Sequence, residues 1–180
     1  MRPAPRRAFL ATLGAVLALP GCARYYYGDQ AAASGTDLVE ASQRAADALL
    51  LGAPLDPRQP VLVATLVSVD RLGESSRFGR LLSEQIAGRL TQRGLRVTEL
   101  RLREHLAMQP AQGELLLSRE LRDVSRAHEA QAVVVGTYAV SASQVFVSLK
   151  LVRPVGNEVV AAYDYAVPMD GNVRVLLAGR

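Results

Sequence analysis

The chain has 180 residues, 49% of them apolar and 5% aromatic with no Trp, and its 21 basic and 17 acidic side chains give a formal charge of +4. This length and apolar share suit one domain with a packed core. The pI near 9.6 does not mark a nucleic-acid binder: Arg2, Arg6 and Arg7 lie in the first 21 positions with no acid beside them, so the remainder carries about +1 and steers charged partners weakly.

The order of the first 22 residues is that of an export signal. A cationic head is followed by an apolar run from Ala8 to Leu19, interrupted by Thr12 and Gly14, and then by Leu19-Pro20-Gly21-Cys22. The run is too short to span a bilayer as a mature helix. Its end resembles the lipobox of bacterial lipoproteins, in which the Cys is alkylated with diacylglycerol, cleavage occurs before it and the new amine is acylated. Pro20 departs from the small residue more usual there. Cys22 is the sole Cys of the chain, so its lipidation leaves no thiol for a disulfide or for nucleophilic catalysis. Several acyl chains on one residue exceed the two-signal requirement for stable anchoring. Ala23 stands where an Asp would resemble an inner-membrane retention signal. The expectation is therefore a signal peptide over 1–21, a lipidated Cys22 and tether over 22–36, and an anchored domain over 37–180. The expected site is the periplasmic face of the outer membrane of the cell envelope. Tyr25-Tyr26-Tyr27 in the tether either rest at headgroup level or pack on the domain.

Asp37 to Leu51 has helical spacing, with Leu38, Ala41, Ala45, Ala48 and Leu49 on one face, Asp37 as cap and Glu40 three residues on. Gly52 ends it, and Pro54, Pro57 and Pro60 keep the connection extended. Val61 to Val69 is apolar on both alternating faces and reads as a central strand. Ser76 caps a helix to Arg93, with Phe78, Leu81, Leu82, Ile86 and Leu90 inward. Gly94 has the place of a left-handed cap residue, and Leu95 to Arg101 alternates as a strand. This makes a β-α-β unit with parallel strands.

Leu102 to Met108 reads as a short helix, and Ser118 opens another that runs to about Glu129. Ala132 to Val140 is a second fully apolar strand. Val145 to Val152 alternates, with Val145, Val147, Leu149 and Leu151 on one side and Phe146, Ser148, Lys150 and Val152 on a partly wet one. Gly156-Asn157 supplies a turn into the strand Val159 to Val167, and Asp170 to Leu177 closes the chain as a helix. The fold class is thus α/β: a single-domain sandwich with a mixed sheet of about five strands, a β-α-β unit followed by an antiparallel meander, covered by helices.

Sites for chemistry are scarce. No Gly-rich phosphate loop and no Gly-x-Ser-x-Gly elbow occur. His105 and His128 lie in separate segments without metal-ligand spacing, so no metal and no cofactor are expected. His128 beside Glu129 has the make-up of a general base but reads as a helix-end group, and His105 beside Glu104 reads likewise. Glu114, Glu120 and Asp164, the last between Tyr163 and Tyr165, do not form a legible acid-base set. The run Arg89, Arg93, Arg96, Arg101 and Arg103 has the charge to meet lipid phosphates. It is interleaved with Glu84, Glu99 and Glu104 and reads as solvated surface.

From about Asp37 to Leu177 the chain resembles the FlgO family of outer-membrane lipoproteins. ASQRAADALL (Ala41 to Leu50), PVLVATLVSVDRLGESSRFGRLLSEQIAGRLTQRG (Pro60 to Gly94) and LLSRELRDVSRAHEAQAVVVGTYAV (Leu116 to Val140) carry the likeness. VSLKLVRP (Val147 to Pro154) and EVVAAYDYAVPMD (Glu158 to Asp170) continue it. The family's domain is more remotely similar to the periplasmic α/β domains of TolB-type and curli-secretion proteins. The resemblance implies a periplasm-facing outer-membrane protein without enzymatic activity, needed for flagellar stability and motility. It supplies no catalytic residues. Expected partners are the outer membrane through the lipid on Cys22, flagellar or other envelope proteins, and further copies of the chain as a homo-oligomer, with no nucleic acid. The alternative is an accessory of another secretion or surface-fibre assembly machine.

Overall fold

The computed structural model describes residues 37–72, 74–100 and 123–179. Helix α1 spans Leu38–Leu51 and starts at Asp37, whose Oδ1 accepts from the Glu40 N–H at 2.9 Å. Strands β1 (Pro60–Ala64) and β2 (Val67–Ser68) precede helix α2 (Arg77–Gln92), which leads into β3 (Arg96–Leu100). A helical segment over 123–127 comes before the meander of β4 (Ala132–Val140), β5 (Gln144–Arg153) and β6 (Glu158–Pro168). Helix α3 (Gly171–Ala178) follows, capped by Asp170, which accepts from the Val173 N–H. The expected helix over Leu102 to Met108 lies outside the described residues, as does the start of the one drawn from Ser118.

The strands form one mixed sheet in the order β3-β1-β4-β5-β6, with β2 paired to β4. β1 is parallel to β3 and β4, whereas β4, β5 and β6 are mutually antiparallel. The β-α-β unit and the meander are therefore as the sequence predicts. The described residues form six strands because the apolar run from Val61 does not continue as one strand to Val69. Between the pairs Val63–Val134 and Val67–Thr137 three residues (64–66) stand against two of β4 (135–136), which shifts the register by one. The Leu66 N–H leaves the ladder and donates to Ser83 Oγ on α2 at 2.9 Å, and that hydroxyl donates to the Gly79 carbonyl at 2.9 Å. The Leu66 side chain is fully buried against Gly136, where a Cβ would come within 2.8 Å of Leu66 Cγ.

Both long helices lie on one face of the sheet: α1 over β5 and β6, α2 over β1 and β3, each touching the other, with α3 against α2. The core between the layers joins Ala45 and Leu49 of α1 and Phe78, Leu82, Ile86 and Leu90 of α2 to alternate residues of the sheet. Those are Val61 and Val63 in β1, Val134 and Tyr138 in β4, Val147, Leu149 and Leu151 in β5 and Val167 in β6. Burial of side chains this size contributes roughly 1.5–3 kcal/mol each. Phe78 meets Tyr138 edge-on, with ring centroids 5.3 Å apart.

Gly94 and Gly156 take the positive φ (+86° and +84°) that the turns there require. Gly52 does not. Its backbone is ordinary (φ −82°, ψ −14°), and a Cβ there would lie 2.8 Å from that of Ala161. It is small so that the end of α1 can rest on β6.

Candidate functional site

Cys22 and the whole N-terminal stretch lie outside the described residues, as do Arg101, Arg103, Glu104, His105, Glu114 and Glu120. The titratable groups that are described do not converge. His128 is exposed in the turn after the 123–127 segment, where Glu129 takes a left-handed backbone (φ +50°). Asp164 is exposed on the face of β6 away from the helices. Tyr163 and Tyr165 point to the opposite side, their rings 6.0 Å apart beneath α1. Burial pushes Tyr165 up to about 12, with Ser42 opposing the rise. Its hydroxyl faces Ser42 without completing a bond of ordinary geometry, and Ser42 itself donates to Gln85 Oε1 of α2 at 2.8 Å. Among the described residues no three His, Cys, Asp or Glu side chains gather as metal ligands, and no helix is long and apolar enough to cross a membrane.

Arg93 and Arg96 are exposed, as their reading as solvated surface has it, but Arg89 and Arg93 are also committed to the fold. Arg89 grips the Asp47 carboxylate of α1 with Nε (3.0 Å) and Nη2 (2.7 Å). Arg93 grips it again with Nε and Nη2, both at 2.8 Å. These hydrogen bonds, first Arg93 and then Arg89, hold the Asp47 carboxyl far below the usual carboxylate range despite the opposing effect of burial. Arg96 donates to the Arg58 carbonyl at 3.0 Å. Asp47 drew no notice in the sequence because nothing in α1's own spacing marks it.

Three surfaces remain. The first is a cleft of about 420 Å³ at the carboxyl ends of β2 and β4, where an open α/β sheet commonly receives a ligand. Several of its polar groups are used within the fold. Tyr138 Oη donates to Ser76 Oγ at 2.7 Å, Ser76 Oγ accepts from the Gly79 N–H at 3.0 Å, and Arg71 pairs with Glu74 at 3.3 Å. The cleft thus fixes the start of α2. The second surface is the outer edge of β6, eleven residues long and paired on one side by β5. A strand edge of that length offers a row of N–H and C=O groups to another strand.

The third surface is the face of the meander opposite α1 and α2. Thr137 and Ala139 of β4, Phe146 and Ser148 of β5, Asp164 of β6 and nearby Val69 line a shallow hollow of about 500 Å³ there. Phe146 is 52% exposed. The wet face expected for Val145 to Val152 is present, although Val152 on it is buried, as are Leu62 and Val133 farther along the same side.

Residues 43–172 match the FlgO family, described as "FlgO protein". A comparison with curated protein sequences finds no match. Among solved structures, the LpoB C-terminal domain from Escherichia coli is similar at 16% identity, covering 73% of this chain and 98% of that one with a TM-score of 0.52. The LpoB C-terminal domain from Salmonella enterica is similar at 13% identity, with the same coverage and TM-score. The PelC dodecamer from Paraburkholderia phytofirmans is similar at 15% identity, over 70% of this chain and 86% of that one, with a TM-score of 0.46. The LpoB likeness extends to the fold, and the matched span covers most of the domain and both edges of its sheet. The chain belongs to the FlgO family.

Proposed function

We propose that this protein is a non-enzymatic lipoprotein, anchored through Cys22 in the periplasmic leaflet of the outer membrane, that supports flagellar assembly, stability and motility. Membership of the FlgO family over residues 43–172 carries this reading. The surfaces of the domain fit a role in assembly. Among the described residues His128 and the acids do not gather, and the β6 edge is free there to take up a strand of a flagellar or envelope protein.

Deletion of the gene tests the reading, with swimming in soft agar and electron microscopy of filaments as readouts. Deleted cells are expected to swim poorly or shed filaments, with recovery from the wild-type gene. Normal swimming with intact filaments would overturn the flagellar role and move the protein to another secretion or surface-fibre machine.

A further inference from the structure

We propose that the face of β4, β5 and β6 opposite α1 and α2 binds a second copy of this chain, across a two-fold axis that sets Lys150 of each copy against Asp164 of the other. The inference rests on the fold and is independent of the flagellar reading and of the lipid on Cys22.

The first support is charge. The charged residues that the meander places on this face are Lys150 and Asp164, one of each sign. Both are exposed, and among the described residues neither has a charged partner, whereas Arg153 and Glu158 at the strand ends pair with each other at 3.2 Å. A surface with one cation and one anion is complementary to itself when a two-fold axis exchanges them. A basic or an acidic partner would satisfy one charge and oppose the other.

The second support is register. Asp164 pairs with Ser148, and Lys150 lies two residues farther along β5. With a rise of about 3.3 Å per residue and about 4.8 Å between strands, the two charges stand roughly 8 Å apart in the sheet plane. An axis lying along the face midway between them exchanges their positions. The same rotation carries Phe146 across to the β4 side of the second copy, over Val135 and Thr137, which are half-buried there. Ser148 falls close to the axis. The aromatic that each copy projects thus meets small and half-buried side chains of the other, and exposed Ala162 and Ala166 keep the flanks low.

Three strands over about five residues make a patch of a few hundred Å² per copy, below that of a standard interface. The association is therefore weak, and covalent capture is the suitable readout. The full chain carrying Ser148→Cys, in membranes, is treated with a short bis-maleimide and compared with the parent chain, whose sole Cys is Cys22. A product of twice the mass is expected from Ser148→Cys. Lys150→Asp or Asp164→Lys added singly lowers its yield by roughly tenfold, because each opposes like charges at two symmetric places. The two reversals together restore it, which also shows that the charge variants fold. Phe146→Asp abolishes it. Absence of the doubled product, indifference to the single reversals, or an adduct with a protein of another mass would overturn the proposal.

Discussion

Asp47 is where a single side chain does most for this fold. Four hydrogen bonds from Arg89 and Arg93 reach one carboxylate that is about a quarter exposed, and they join α1 to α2. Bidentate pairs outperform ordinary surface ion pairs, and screening at this exposure leaves a net contribution of about 1–2 kcal/mol. The folded carboxyl titrates below its unfolded value, so the contribution is complete above the ordinary Asp value of about 3.9 and disappears as pH falls toward the lowered one. Asp47→Asn should therefore lower the urea midpoint at pH 7, and its deficit should shrink steadily below pH 4. A deficit unchanged at pH 2.5 would mean that packing rather than charge holds this corner.

At the scale of elements, helix α2 lies so near the break between β1 and β2 that backbone touches backbone. A Cβ on Gly79 would collide with the Leu66 carbonyl, which has no room to withdraw because Ser83 holds the adjoining amide. Gly79→Ala should cost about 3 kcal/mol or more, at the upper end of overpacking penalties. Gly88→Ala on the same helix meets nothing within 4 Å and should instead add about 0.5–1 kcal/mol. Urea midpoints of the two variants should move in opposite directions, and parallel shifts would refute the close-contact account. The same place marks how far the sequence is legible. Hydrophobic spacing reveals the helices, the parallel unit and the meander, because each repeats over many residues. VLVATLVSV has no irregularity of its own to show the break, since Ser83, seventeen residues on, takes the Leu66 amide. Gly52 looks like a conformational device and is a spacer for Ala161, and the Asp47 clamp joins residues more than forty apart. Of the candidate surfaces, the wet face of β5 is legible from its alternation. The matching of Lys150 with Asp164 needs the β5-β6 register.

For the whole molecule, the question is how much of the fold depends on the N-terminal stretch. Among the described residues the core is built from α1 onward, and its first buried member is Ala41. Cys22→Ala in the full chain should therefore move the protein from the membrane fraction to the soluble periplasmic fraction. Its melting temperature should stay within about 2 °C of the parent, because the described core begins at Ala41. Retention in the membrane fraction would show that something other than the lipid anchors it. A collapse of the melting transition would show that the domain begins earlier than Asp37.

The seating of α1 on β6 sets an order of events in time. α1 is the first described element to emerge when the chain is synthesised or threaded through a pore, yet its end rests on Ala161, which follows Gly52 by 109 positions. Until the last strand of the meander has emerged, α1 has α2 but not the sheet to pack against, and a helix of fourteen residues without its full packing surface is marginal in water. Closure of the domain thus waits on its far end. The lipidation proposed for Cys22, and cleavage before it, have the interval before β6 emerges in which to act on a chain whose fold is not yet complete.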